Sequence, residues 1–213
     1  MKIILLPSIM VLVWVLNHNI RKNNGSDSDN IHSYLTREDR ANAIRRKDIS
    51  ELPYIQVPID MFPFHITLND EKKQTKIAEY EKIIRTLSGQ RMLNLIGVSN
   101  TELKEQYGPA NLEILTVYDQ NYSRYLRTLQ LFAECIYEEY PADAISILEY
   151  CISIGTDISG TYELLGRYYL ARDDSEHFLA LYDRIPVKDS ISGKVIQNKL
   201  NQMKEYTDRT DNA

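Results

Sequence analysis

An all-α fold is predicted for this chain of 213 residues, on three observations. Apolar residues recur at helical spacing, at Ile77, Tyr80, Ile83, Ile84 and Leu87, and again almost without break from Asn111 onward. Capping residues and Gly or Pro stops punctuate those stretches as they do helix hairpins, with Pro141 at one start and Gly155 just past one end. The aromatic content is 15 Tyr against 4 Phe and 1 Trp. Tyrosine suits half-buried helix faces, where the ring packs and the hydroxyl stays wet, so thin helical layers are expected rather than one deep core.

The first element read from the chain is apolar. Residues 3–16 carry no charge, and the uncharged run reaches Ile20 before Arg21-Lys22. As a helix it would span roughly 27 Å at 1.5 Å per residue, close to a hydrocarbon core of about 30 Å. Trp14 suits the interface, and Pro7 lies in the first turns, where its missing N–H costs least. Residues 17–20 lack the small side chains of a cleavage site. Residues 1–20 are therefore expected to be a transmembrane anchor, contacting the membrane through residues 3–20. A single-pass cell-membrane location follows, with the rest of the chain favoured outside the cytoplasm. Residues 21–35, polar and turn-forming, read as a flexible linker.

Residues 36–68 divide into a short helix and an extended strap. Thr36 and Asp39 have the spacing of a helix start, and Arg45-Arg46-Lys47 would close that helix against its negative end. Pro53, Pro58 and Pro63 then recur every five residues and bias their predecessors towards extended geometry. Tyr54, Ile55, Val57, Ile59, Phe62 and Phe64 are too apolar for a free loop, so the strap is expected to pack along the helical body. Residues 69–108 read as a helical cap. Asn69 starts a helix that Gly89 ends, Met92–Gly97 connects, and Ser99 with Glu102 opens a second helix stopped by Gly108-Pro109.

Residues 109–186 carry the repeat. Helices are expected near 111–119, 121–139, 142–154, 158–172 and 174–185. Phe132-Ala133 precedes Leu165-Gly166 by 33 positions, while Ala144 precedes Phe178, and Leu148 precedes Tyr182, by 34. Such spacing has a packing reason. The first helix of a hairpin needs a small residue where the second crosses it, Ala133 or Gly166. The second needs a large one facing back, Leu148 or Tyr182.

This pattern resembles the tetratricopeptide (TPR) family. Tyr162 stands at the family's Trp position, Leu165-Gly166 at its Leu-Gly, Tyr169 at its Tyr and Tyr182 at its Phe/Tyr, while Phe178 and Ile185 depart from small positions. The resemblance implies a concave face that binds a protein or peptide, with Arg127, Gln130, Glu134, Tyr137, Glu138, Glu163, Arg167 and Leu170 on it. The runs RRKDISELPYIQVPIDMFPF and SNTELKEQYGPANLEIL are also similar to membrane-anchored proteins of an uncharacterised bacterial family of Gram-positive anaerobes. They imply the same layout and no activity.

Two repeats need neighbours, because solenoids are stable from about three stacked units. Residues 187–213 supply one: Ile191, Val195, Ile196, Leu200 and Met203 form a stripe with Lys194, Lys199 and Lys204 outside, as in a C-terminal capping helix and tail.

Charge and motifs bound the function. The net charge of −5 argues against nucleic acid, whose binders show a basic face. The acidity sits in residues 100–186, with 15 acidic groups against 6 basic. No phosphate loop, GxSxG, HExxH or paired CxxC occurs, and the four His lack metal-ligand spacing. No enzyme, metal or cofactor is expected. Glu134, Glu138, Glu139, Glu163 and Asp173-Asp174 read as a solvated charged face. Cys135 and Cys151, sixteen positions apart on one hairpin, read as packed thiols, with a disulfide left open for an oxidising space. The function expected is a membrane-anchored helical-repeat scaffold or adaptor. The alternative is a structural subunit of a membrane complex, contacting it through the strap. The sequence leaves the oligomeric state open.

Overall fold

The computed structural model describes residues 31–210. Among the described residues all regular structure is helical, so the all-α class holds. The helices are α1 (residues 31–42), α2 (Glu71–Ser88), α3 (Asn100–Tyr107), α4 (Leu112–Ile136), α5 (Pro141–Ser153), α6 (Ser159–Leu170), α7 (Ser175–Asp183) and α8 (Ile191–Thr210), with 3₁₀ turns at Ile59–Met61 and Pro109–Asn111.

Among the described residues no helix is long and apolar enough to cross a membrane. That corrects the expected single-pass membrane placement; the segment 3–20, on which the expectation rested, lies outside the described residues. So does the linker up to residue 30, while residues 31–35 already belong to α1.

The chain divides into two compact units. The first comprises residues 31–48 and Ser99–Leu112. Here α1 corrects the expected helix start. Thr36 lies inside the helix, where its Oγ1 donates to the His32 carbonyl at 2.8 Å, a back-bond four residues long rather than a cap. Helix α1 is tied to α3 by charge. Arg37 donates from Nε and Nη2 to both Glu105 oxygens, at 2.8 and 2.7 Å. Glu38 accepts from Thr101 Oγ1 at 2.8 Å and from Lys104 Nζ. The Lys104 ammonium, then the Thr101 hydroxyl, hold the Glu38 carboxyl below its usual range.

Arg45-Arg46-Lys47 do not end a helix; they lie past α1 in chain without regular structure. Lys47 N donates to the Tyr107 carbonyl, and buried Asn111 donates through Nδ2 to the carbonyls of Lys47 and Tyr107. Helix α3 opens with the capping box read from the sequence, Ser99 and Glu102 each bonding the other's backbone. It stops at Gly108, whose φ of +83° suits glycine. A Cβ there would meet the Arg45 carbonyl oxygen at 2.6 Å.

The second unit comprises Ile49–Val98 and the chain from Glu113 onward. Its strap is extended around the short 3₁₀ turn. Ile55 N donates to the Met92 carbonyl at 3.0 Å. Phe62 is buried against Tyr150, and Phe64 meets Phe132 edge-on. The cap of α2 is Asp70, one residue later than expected, and it accepts from Lys72 N and Lys73 N. Asn69 instead donates its N–H and Nδ2 to Glu139.

Helix α4 is one helix where two were expected, over 111–119 and 121–139. Gln120-Asn121 does not break it, because the Asn121 amide turns outward to the Arg91 carbonyl, 3.2 Å away. The core lies under α4, α5, α6 and α7 and includes Ala133, Ala144, Leu148, Leu165 and Phe178.

Candidate functional site

Most of the described tyrosines fill the half-buried positions that their abundance predicts, Tyr54, Tyr80, Tyr137, Tyr150 and Tyr182 among them, and a few have a second use. Tyr122, Tyr125 and Tyr162 are fully buried rather than half-wet. Tyr122 donates to the Ile154 carbonyl at the end of α5 (2.7 Å), and Asn94 Nδ2 reaches the same oxygen at 3.0 Å. The single Tyr162 O–H is shared between the carbonyls of Thr156 and Arg184, at 3.0 and 2.9 Å. Carbonyls at helix ends have no partner within the helix; here buried phenols supply it. Burial raises the pKa of all three phenols well above the ordinary value, so they stay protonated donors.

These bonds fix the direction of each helix. Tyr122 meets the end of α5 while Tyr125 reaches Tyr150, a turn earlier, so α4 and α5 are antiparallel. Tyr162, at the start of α6, reaches Arg184, just past α7, whereas Tyr169, near the end of α6, stacks on His177 at the start of α7. Thus α6 and α7 are antiparallel as well. Between α6 and α8 the contacts advance together. Glu163 accepts from Lys199 Nζ at 2.6 Å, and a Cβ on Gly166 would lie 2.6 Å from Met203 Cε and 3.4 Å from Leu200 Cδ2. Helices α6 and α8 therefore run parallel, with α7 returning between them.

A cleft of about 600 Å³ opens along this parallel pair, within the range of ligand sites, roughly 300–1,000 Å³. Glu163, Arg167 and Leu170 line it from α6, and Lys199, Gln202, Met203, Tyr206 and Thr207 from α8. Leu170, Met203 and Tyr206 give it an apolar stretch. At the other end Glu163 faces two cations, Lys199 and, at 3.5 Å, Arg167. The Lys199 ammonium lowers the Glu163 carboxyl below its usual range, so the pair is charged at neutral pH.

Three of the eight residues expected on the binding face thus lie together. The other five, Arg127, Gln130 and Glu134 on α4 and Tyr137 and Glu138 just past its end, do not join them in the cleft. Gln130 is buried, 6% exposed, and a Cβ on Gly160 would meet its Nε2 at 2.9 Å. Glu138 is engaged by Lys73 of α2. Arg127 and Glu134 act electrostatically on Tyr80 of α2, whose phenol is raised chiefly by burial. Tyr137 packs half-buried against the core. Sequence reasoning placed the lysines of α8 outside. Lys199 instead turns in to Glu163, and the signal was Met203 seven residues after Ile196, on the same face as Lys199.

No family model matches the sequence, and no curated protein or solved structure matches the chain.

Three other carboxylates are engaged in structure. Glu139 takes both donors of Asn69, Glu149 takes Tyr169 and, at 2.7 Å, Arg184, and Asp174 caps α7. Cys135 and Cys151 are both free thiols. Burial raises both pKa values, most for the fully buried Cys151, so neither has thiolate character. Among the described residues no group of three His, Cys, Asp or Glu is placed to hold a metal ion.

Proposed function

We propose that this chain is a helical-repeat adaptor that docks a peptide or protein partner in the α6–α8 cleft, and that it acts by binding rather than by catalysis. The observation that carries the reading is the cleft itself, an apolar stretch beside an ion-paired end on two parallel helices. The TPR-like reading of residues 109–186, with α8 as the closing helix, draws support from the α6–α7–α8 alternation and from Gly166. That residue lets Phe178 of α7 and Met203 of α8 approach the same point of α6. Helix α8 then supplies one wall of the site as well as an end cap. The strap reading gains nothing comparable, since Phe62 and Phe64 are turned onto the strap's own unit.

Photo-crosslinking in the native host tests this. A photoreactive residue replacing Gln202, on the cleft, is expected to capture a discrete partner, and Leu170→Arg is expected to abolish the capture. A partner captured instead from Met61 on the strap, and insensitive to Leu170→Arg, would transfer the function to the strap.

A further inference from the structure

We infer that the cleft selects a peptide segment in which a carboxylate side chain stands beside a bulky apolar one; this rests on reading the cleft as a docking site. Charge complementarity sets the first half of the motif. Among the described residues Glu163 is the one carboxylate in the lining, and it already faces both Lys199 and Arg167. A basic ligand would have to displace Lys199 from a 2.6 Å bond. An acidic ligand meets a surplus cation.

That cation is Arg167, whose side chain is 61% exposed. Its 3.5 Å contact to Glu163 is longer than a good hydrogen bond, which leaves the guanidinium fork able to take a second carboxylate in the bidentate geometry arginine favours. The surrounding block of residues 100–186 is strongly acidic. The preference is therefore local to Arg167 and is not a product of the overall field.

Spacing sets the second half of the motif. Leu170 follows Arg167 by three residues, about 4.5 Å of helix rise, with Met203 and Tyr206 facing it across the cleft. A ligand that bonds Arg167 therefore presents its apolar side chain some 5–7 Å further on. Alternate residues of an extended chain are roughly 6.6 Å apart, and residues one turn apart on a helix about 5.4 Å. Both forms fit, so the motif is an Asp or Glu within four positions of Leu, Ile, Met or Phe.

The test is a random octapeptide phage library selected on the immobilised full chain, with enriched peptides then synthesised and titrated by fluorescence anisotropy. Enriched sequences are expected to carry the acidic–apolar pair and to lose at least tenfold in affinity for Arg167→Glu, with a smaller loss for Arg167→Gln. Both variants lie on an exposed position, and matching circular dichroism confirms their fold. Enriched peptides that are basic or uncharged, or that bind Arg167→Glu equally well while Leu170→Arg abolishes binding, would overturn the charge preference and leave the docking site standing. No enrichment, or binding indifferent to Leu170→Arg, would overturn the docking reading and this inference with it.

Discussion

The phenol of Tyr162, in the first turn of α6, donates to the carbonyl of Arg184, twenty-two residues on and just beyond α7. The same O–H is shared with the carbonyl of Thr156, before α6 begins. One side chain thus closes the loop on each side of the α6–α7 hairpin. Tyr162→Phe would keep the ring and remove the one donor that the two carbonyls share, at about 1–3 kcal/mol for a buried unsatisfied group. Tyr122→Phe should cost less, because Asn94 still serves Ile154. Urea unfolding of the two variants checks the ranking, and an equal loss would mean that the shared acceptor gives no protection.

Gly193 sits inside α8, where Ala is intrinsically favoured by about 1 kcal/mol. A Cβ there would meet the Val187 carbonyl oxygen at 2.2 Å and that of Lys188 at 2.8 Å. Backbone cannot swing aside as a side-chain tip does, and overpacking typically costs about 1–3 kcal/mol. Gly193→Ala is therefore expected to destabilise on balance, whereas Gly89→Ala, whose nearest neighbour is 3.8 Å away, should stay within about 0.5 kcal/mol of the parent. Thermal melts compare the two, and a stabilised Gly193→Ala would show that the loop before α8 yields.

Glu163 is held below its usual pKa by Lys199. A depressed carboxyl stabilises the fold above its unfolded pKa, and that contribution disappears as pH falls through the folded one. At neutral pH, Glu163→Gln should melt below the wild type. The gap should close in acid, below the ordinary carboxylate range, as the wild-type carboxyl takes up its proton. A gap that persists unchanged at the acid end would assign the loss to shape instead of charge.

His177 moves the opposite way. Asp174 accepts from both its backbone N–H and its ring Nδ1; the ring bond and the Asp174 charge raise the imidazole pKa, with Glu176 and Glu149 adding to the effect. A raised histidine stabilises fully below its unfolded pKa and loses that contribution as pH rises through the folded value. A ring-proton NMR titration should place the midpoint above that of a free histidine, and Asp174→Asn should lower it. An unmoved midpoint would detach the imidazole from its cap.

Much of this was legible because local rules and packing agreed. The Ser99–Glu102 box, the Gly108-Pro109 stop, the proline-spaced strap and the small residues at 133 and 166 each depend on few neighbours. The departures share one cause. Thr36, Asn69 and Asn121 all look like helix boundaries by residue type, and in each the polar side chain or backbone found another partner: the His32 carbonyl, Glu139 and the Arg91 carbonyl. The binding face was half legible for a related reason. A repeat register assigns positions on α4 and α6 alike. It carries no information on α2, which engages the α4 side through Lys73, or on Lys199, which turns into the α6 side. Tyrosine abundance predicts half-buried faces, which fits Tyr80, Tyr137 and Tyr150 but not Tyr122 or Tyr162, because composition does not reveal which phenols will find an unpaired carbonyl.

The first unit is built from two stretches of chain with residues 49–98 between them, and this dictates an order of assembly. The bond from Thr101 to Glu38 closes a loop of 63 residues, an entropic penalty of roughly 4 kcal/mol for unstructured chain. The Ile55–Met92 bond inside the intervening stretch shortens that loop once it has formed. Growing from its amino end, the chain exposes α1 well before α3 exists. A chain that stops short of residue 99 therefore holds Arg37 without Glu105, and Glu38 without Thr101 and Lys104.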